Sequence, residues 1–125
     1  MERFMLIVRE DLKKIGALTE AERFANFPMM LEWVKSLADS GNYVCGEPLA
    51  ITGRYVSKNE VLSDGPFIEA KEGIAGYNII LAENLNQAVS IAQTCPLVMG
   101  GLGVREVRPV LLPVLEAQPT MKVNE

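Results

Sequence analysis

Apolar residues dominate the start of the chain, where the stretch "RFMLIVR" predicts a β-strand over residues 3–9. Successive side chains of a strand alternate between its two faces. One face then consists of Phe4, Leu6 and Val8, and the other of Met5 and Ile7. Both faces are apolar, as is typical of a strand that is covered on both sides. We therefore expect helices on one side and a second subunit on the other.

Residues 19–41 have the apolar spacing of a helix. Thr19 and Glu22 match a capping box, in which the hydroxyl accepts a hydrogen bond from the Glu22 N–H and the carboxylate reaches back. Gly41 is a natural left-handed cap after the last turn. These signals predict the two ends of the helical region.

A proline interrupts this helical region. Pro28 lacks an N–H and crowds the preceding turn, so it should break or kink the run. We expect a short helix up to about Asn26 and a main helix from Pro28 to about Ser40. The main helix carries an apolar stripe at helical spacing, with Phe27 just ahead of it. The stripe consists of Leu31, Val34 and Ala38.

The remaining elements follow from turn residues and from alternation of polar and apolar positions. We predict strands over 43–50, 76–82 and 104–112, a hairpin over 53–64 that turns at Lys58-Asn59, and a helix over 83–96 capped by Asn84. The order βαββαβ is that of the ferredoxin-like α+β fold, in which helices cover one face of an antiparallel sheet. The other face needs a partner, and sheet-to-sheet association as a homodimer is the simplest way to supply one.

Composition limits the class of protein. The 125 residues favour one domain over 1–112, followed by a C-terminal tail over 113–125 with little apolar periodicity. A net charge of −4 argues against a nucleic-acid surface, which needs a basic stripe. The sequence has no signal peptide and no apolar run long enough to cross a membrane, so we expect a cytoplasmic protein. Cys45 and Cys95 are expected to be reduced and part-buried, and their spacing predicts neither a metal site nor a cofactor.

The chain contains no histidine. This excludes Ser–His and Cys–His nucleophile pairs, metal sites with His ligands, and the usual general base near neutral pH. Any acid–base chemistry must therefore come from a carboxylate, Lys, Tyr or Cys with a shifted pKa.

The strongest candidate site is a turn with charges after it. Asp64 and Gly65 form a turn pair, because Gly accepts positive φ and Asp bonds the backbone two residues on, and Pro66 stiffens the exit while Phe67 can anchor the turn to the core. Glu69 and Lys71 then share a face of an extended segment. If that face lines a cleft, a carboxylate and an ammonium lie side by side to bind a polar ligand or to move a proton. The alternative is a structural turn followed by a solvated charged edge.

Other polar residues are secondary candidates. Tyr77 opens a predicted strand, where it is either a core residue with a bonded hydroxyl or part of a site. Arg105, Glu106 and Arg108 crowd the last strand, and alternation puts Glu106 and Arg108 on one face as an ion pair. Arg108 is kept as a candidate ligand-binding residue, with the structural ion pair as the alternative.

The sequence resembles the YCII-related, or DGPF-domain, family of small bacterial proteins. The likeness rests on segments that occur in the family's order and spacing over nearly the whole chain apart from the tail. They are "RFMLIV" at the start, "GE" at 46–47, "DGPF" with Glu69 and "KE" at 71–72, Gly76-Tyr77, "CP" at 95–96 and "EVRP" at 106–109.

The resemblance implies a ferredoxin-like homodimer of the dimeric α/β-barrel type, with a cleft near the DGPF turn that is suspected of binding a small molecule. It also implies an association with extracytoplasmic-function sigma factors, beside which family members are often encoded. A branch of the family has been proposed to be enzymatic through a His–Asp pair. That mechanism cannot be carried over, because this sequence has the Asp-bearing turn but no histidine.

Three functional hypotheses follow. The first is a dimeric, cytoplasmic small-molecule-binding protein with a cleft lined by Asp64, Glu69, Lys71, Tyr77 and Arg108. The second is a lyase- or isomerase-like enzyme, with Asp64 or Glu69 as the base and Lys71 stabilising negative charge. The third is a protein-interaction module that acts on a transcription partner such as a sigma factor.

Overall fold

The computed structural model describes residues 1–50, 52–62 and 72–111. The predicted turn at 64–67, Glu69, Lys71 and the tail from 113 onward lie outside the described residues. The strands are β1 (Glu2–Asp11), β2 (Tyr43–Pro48), β3 (Tyr55–Val56), β4 (Val61–Leu62), β5 (Glu72–Ala82) and β6 (Gly103–Pro109). The helices are α1 (Leu12–Ala17), α2 (Glu20–Asp39), α3 (Leu85–Gln93) and α4 (Pro96–Met99).

Four strands form one antiparallel sheet in the order β2-β5-β1-β6. The predicted α+β class is therefore confirmed, and the strand order is consistent with a ferredoxin-like arrangement. The short strands β3 and β4 form a separate hairpin. Its turn closes with a bond from the Ser57 N–H to the Glu60 carbonyl, around the predicted Lys58-Asn59.

The two faces of the central strand β1 differ in burial as its alternation predicts. Phe4, Leu6 and Val8 are buried beneath the helices. Met5 and Ile7 on the opposite face are only half-buried. We call the first surface the helix-covered face and the second the open face. The core on the helix-covered face also contains residues of β5, α2 and α3 and of the segment that follows α3, namely Ile80, Ala82, Trp33, Leu37, Ala88, Ala92, Cys95 and Leu97.

Capping signals were read correctly from the sequence. The Thr19 hydroxyl accepts a bond from the Glu22 N–H, and the Glu22 carboxylate accepts one from the Thr19 N–H. The Asn84 side chain accepts a bond from the Gln87 N–H at the start of α3. Gly41 has a φ of +81°, as expected of the residue after α2.

The predicted break at Pro28 is wrong, because α2 runs without interruption from Glu20 to Asp39. Proline removes the bond to the carbonyl four residues earlier, which here belongs to Phe24. Both Phe24 and Pro28 are exposed, so water can satisfy that carbonyl. The core packing of the following turns then stabilises a single helix.

The predicted apolar stripe of α2 is also wrong in part. Leu31 is 55% exposed and Ala38 is exposed, whereas Trp33 and Leu37 are buried. The helix presents the face of its largest side chain, Trp33, to the core, since burying an aromatic ring removes the most apolar surface from water.

Two further differences concern shorter features. Helix α1 was not predicted, although the Asp11 carboxylate caps it by accepting a bond from the Lys14 N–H. Both cysteines are free, but Cys95 is buried and Cys45 is exposed, so neither is part-buried as expected. No helix in the described part of the chain is long and apolar enough to cross a membrane.

Candidate functional site

A cavity of about 530 Å³ lies between α2 and the edge of the sheet formed by β2 and β5. This volume is within the range of small-molecule sites. Its walls are mainly apolar, with side chains from β1, α1, α2, β2, β5 and α4. These residues are Val8, Ile15, Phe27, Met30, Leu31, Val34, Pro48, Ala75 and Leu97.

Two polar side chains lie at the sheet side of this cavity. Asn78 pairs with Leu6 and Arg105 pairs with Val8 in the strand register, which puts both on the helix-covered face. The Arg105 Nη1 donates to Asn78 Oδ1 over 2.7 Å and to the Leu6 carbonyl over 3.3 Å. Its Nε donates to Cys95 Sγ over 3.4 Å. The guanidinium is therefore fixed by three separate elements of the fold.

Trp33 of α2 supports this arginine from the helix side. The Arg105 guanidinium carbon lies 5.0 Å from the centre of the Trp33 ring, within cation–π range. Trp33 is itself fixed, because its Nε1 donates to Thr94 Oγ1 over 2.7 Å. The aromatic ring and the guanidinium thus hold each other in place, and Arg105 borders the cavity.

Gly46 of β2 provides the space for Asn78. A Cβ atom at residue 46 would collide with the Asn78 side chain and would lie 2.7 Å from the Tyr77 carbonyl oxygen. Both residues border the cavity. The "GE" segment at 46–47 therefore has a structural reason, since a side chain here would displace the amide that receives the Arg105 bond.

Glu10 is a carboxyl group at the cavity that has an altered pKa. It follows Val8 on the helix-covered face of β1 and borders the cavity. Burial raises the pKa of the Glu10 carboxyl above its ordinary value. Such a group accepts a proton more readily than an exposed glutamate, which suits it to acid–base work.

Tyr77 also borders the cavity, but its side chain belongs to the other face of the sheet. It pairs with Ile7 and with Glu47 in the sheet, and its hydroxyl donates to Glu47 Oε1 over 2.6 Å. That hydrogen bond to the carboxylate raises the pKa of Tyr77. Tyr77 is therefore a strand residue with a bonded hydroxyl at the rim of the cavity.

Arg108 lies away from this cavity. It is on the open face, where it donates to Glu106 Oε2, and Arg9 donates to Glu106 Oε1 over 3.0 Å. These bonds, first that from Arg108 and then that from Arg9, lower the pKa of Glu106. Alternation correctly placed Glu106 and Arg108 on one face. The structure separates Arg108 from the cavity that Tyr77 borders, and Asp64, Glu69 and Lys71 lie outside the described residues.

Sequence reasoning missed Asn78, Arg105 and Glu10 as site residues. A signal was present, because each is a polar residue on a strand face that is mostly apolar. Arg105 was seen only as part of a charged cluster, although alternation separates it from Glu106. In the described part of the chain, no group of three or more Cys, Asp or Glu side chains could hold a metal ion.

Comparisons with known proteins agree with this architecture. The sequence model of the YCII-related domain family matches residues 3–111. No protein with a curated description matches the chain. A solved structure that it resembles is 5-chloro-2-hydroxyhydroquinone dehydrochlorinase from Burkholderia phenoliruptrix, in complex with 2,5-dihydroxybenzoquinone. The two are 16% identical, with a TM-score of 0.54 over 85% of this chain and 90% of that chain, a likeness of fold.

Proposed function

Because the chain belongs to the YCII-related domain family, we propose that it is a small-molecule-binding protein whose site is the cavity between α2 and the sheet. The observation that carries this proposal is a mainly apolar cavity of about 530 Å³ that is bordered by the hydrogen-bonded pair Arg105 and Asn78. Small-molecule sites combine mostly apolar walls with a few fixed polar groups in this way. The structural neighbour, a protein of similar fold, holds 2,5-dihydroxybenzoquinone.

The test compares two phenylalanines of the same helix. Phe27 borders the cavity, whereas Phe24 does not, and both are exposed, at 63% and 70%. We expect ring compounds such as 2,5-dihydroxybenzoquinone and salicylate to raise the unfolding temperature of the wild type and of Phe24→Ala, but less that of Phe27→Ala. If the ligand raises the unfolding temperature of both variants equally, the binding site is not this cavity.

The predicted contribution of the charged segment needs its own variant. Glu69→Ala/Lys71→Ala removes the carboxylate and the ammonium together. If these side chains contact the ligand, the double variant loses affinity in the same titration while its unfolding temperature without ligand stays close to the wild-type value. Unchanged affinity would restrict the site to the cavity residues.

A second candidate function is a lyase- or isomerase-like enzyme, which the position of Glu10 favours. A half-buried carboxyl with a raised pKa and an arginine border the same cavity. Glu10 would serve as the base and Arg105 would stabilise developing negative charge. This assigns the base to Glu10, where the sequence suggested Asp64 or Glu69.

The neighbour's name supplies a first substrate to test. Chloride release from 5-chloro-2-hydroxyhydroquinone can be followed with wild type and with Glu10→Gln. An enzyme of this type releases chloride above the uncatalysed rate, and the variant loses most of that activity. If the wild type binds this compound but releases no chloride, the binding function stands and the enzymatic function is wrong for this substrate.

We also propose that a second copy of the chain covers the open face. Ile74 and Val104 are exposed, Met5 and Ile7 are half-buried, and the register with β1 places them all on this face. An apolar face of this kind is typical of an interface between subunits. Light scattering at micromolar concentration is expected to give twice the monomer mass, and Ile7→Glu to return it to the monomer. A wild-type monomer would contradict this proposal.

A further inference from the structure

The charge of Arg105 has no carboxylate partner among the described side chains. Its bonds go to a backbone carbonyl, a side-chain amide and a sulfur, from Leu6, Asn78 and Cys95. The two ion pairs in the described part of the chain instead join Arg9 and Arg108 to Glu106. A part-buried cation without an anion is costly to keep in a fold, so its neutralising partner is expected to come from outside these contacts.

The free end of the guanidinium is available to such a partner. Arginine has five N–H groups, one on Nε and two on each terminal nitrogen. The bonds of Arg105 leave from Nε and Nη1, so Nη2 has no acceptor among the described residues. Nη2 is not a buried atom, because the buried unbonded side-chain nitrogen in the described part of the chain is Nε of Arg3. Since Arg105 borders the cavity, Nη2 is the group of this side chain that a ligand in the cavity is expected to bond.

The rest of the cavity limits what this partner can be. Its walls are apolar, so a ligand there presents mostly carbon surface. The other charged groups that border it are Arg23, Glu10 and Glu47. The Glu47 carboxylate accepts a hydrogen bond from the Tyr77 hydroxyl, and burial raises the pKa of the Glu10 carboxyl above its ordinary value. These features favour an anion with a single charged group on an apolar body.

We propose, on the premise that the cavity is the binding site, that its ligand is a ring-bearing organic anion whose carboxylate or ionised hydroxyl bonds Nη2 of Arg105. The Trp33 ring and the Asn78 amide hold the guanidinium in place before the ligand arrives, so little side-chain entropy is lost on binding. The planar fork of arginine presents its N–H groups in fixed directions, which lysine cannot do.

The test uses pairs of probes in which a neutral analogue of similar shape replaces the anion. Benzoate and salicylate are compared with benzamide and salicylamide, and 2,5-dihydroxybenzoquinone with its dimethyl ether, by calorimetric titration of the whole chain. Each anion is expected to bind about tenfold more tightly than its neutral counterpart, because hydrogen bonds to charged groups are the strong ones. Arg105→Gln brings the ratio close to one, and Arg105→Lys gives an intermediate value.

Arg108→Gln is the matched control, since it removes an arginine of the same strand that lies on the open face. It is expected to leave the ratio unchanged, and a loss equal to that of Arg105→Gln would overturn the assignment to Arg105. Neutral probes that bind as tightly as anions would overturn the charge class while leaving the binding function intact. If no probe binds, the proposed function fails as well. The ratio of anion affinity to neutral-probe affinity is measured on the wild type. It therefore tests the charge class of the ligand even if Arg105→Gln does not fold.

Discussion

On the open face of the sheet, one carboxylate, Glu106, accepts bonds from two arginines, whereas on the helix-covered face Arg105 has no carboxylate among the described side chains. In the single chain the open-face pairs are in contact with water, where ion pairs contribute little to stability. The guanidinium of Arg105 is part-buried and fixed by neighbours from several elements. This difference is why we assign the second cluster, and not the first, to the proposed site.

The largest expected effect comes from apolar neighbours on β1. Leu6 on the helix-covered face is fully buried, and Ile7 on the open face is half-buried. Leu6→Ala is expected to lower the free energy of unfolding by about 2–5 kcal/mol, since it leaves a cavity in the core. Ile7→Ala is expected to cost less at low protein concentration and more as the concentration rises, because the open face is proposed to be a dimer interface. Urea titrations at two protein concentrations measure the free energy of unfolding of both variants. If both lose the same amount, independent of concentration, the two faces do not differ as proposed.

The next largest effect is expected at Trp33, which holds Arg105 in place. Trp33→Phe removes the bond to Thr94 and part of the ring beneath the guanidinium. We expect a loss of about 1–2 kcal/mol in unfolding free energy and a smaller affinity difference between anionic and neutral probes. Thr94→Val is the control, because it removes the acceptor and keeps the indole. A Trp33→Phe variant with full anion preference would show that Arg105 does not need this support.

Glu10 on the helix-covered face is expected to make stability fall as pH rises. Burial raises its folded-state pKa, so the folded protein holds the Glu10 proton more tightly than the unfolded chain does. The stabilisation is complete below the unfolded pKa of about 4.3 and is lost as pH rises through the folded pKa. Glu10→Gln is therefore expected to be more stable than wild type at pH 7, with the difference vanishing below about pH 4. Denaturant titration at the two pH values checks this, and a variant less stable at pH 7 would contradict it.

Glu106 on the open face is expected to have the opposite sign and the smallest effect. Bonds from Arg108 and Arg9 lower its folded-state pKa, so its contribution is present above the unfolded pKa and is lost as pH falls through the folded one. Glu106→Gln is then slightly less stable than wild type near neutral pH and equal to it in strong acid. Because these pairs contact water in the monomer, added salt is expected to shrink the difference at low protein concentration. A difference that persists in acid would mean that Glu106 acts through packing.

The parts of the fold that depend on near neighbours could be predicted from the sequence. Alternation in β1, the capping box at Thr19 and the Asn84 cap are encoded within a few residues of one another. The outcome at Pro28 could not be, because core packing of the later turns outweighs the missing bond. The stripe of α2 was misplaced for a related reason, since the position of Trp33 depends on Thr94, far away in the sequence.

The site illustrates the same limit. A segment of clustered charges can be found by inspection, and it directed attention to Glu69 and Lys71. The contact between Arg105 and Asn78 instead joins residues 27 positions apart on strands that are separated in the sheet by β1. Only the strand order brings them together, and Gly46 must also leave room for the amide. The sequence did contain one signal for Arg105 and Asn78, since each is a polar residue on a mostly apolar strand face.

The proline within α2 has a consequence for how a ligand could enter. Without the bond from residue 28 to the Phe24 carbonyl, the first turns are tied to the remainder of the helix by one link fewer. Arg23 and Asn26 border the cavity before Pro28, and Met30 and Val34 border it after. We expect amide hydrogens of the early turns to exchange with solvent faster than those of the later ones. The turns of α2 before Pro28 would then open more readily than the turns after it. The later turns, which carry Trp33, would keep the Trp33 ring packed on Arg105.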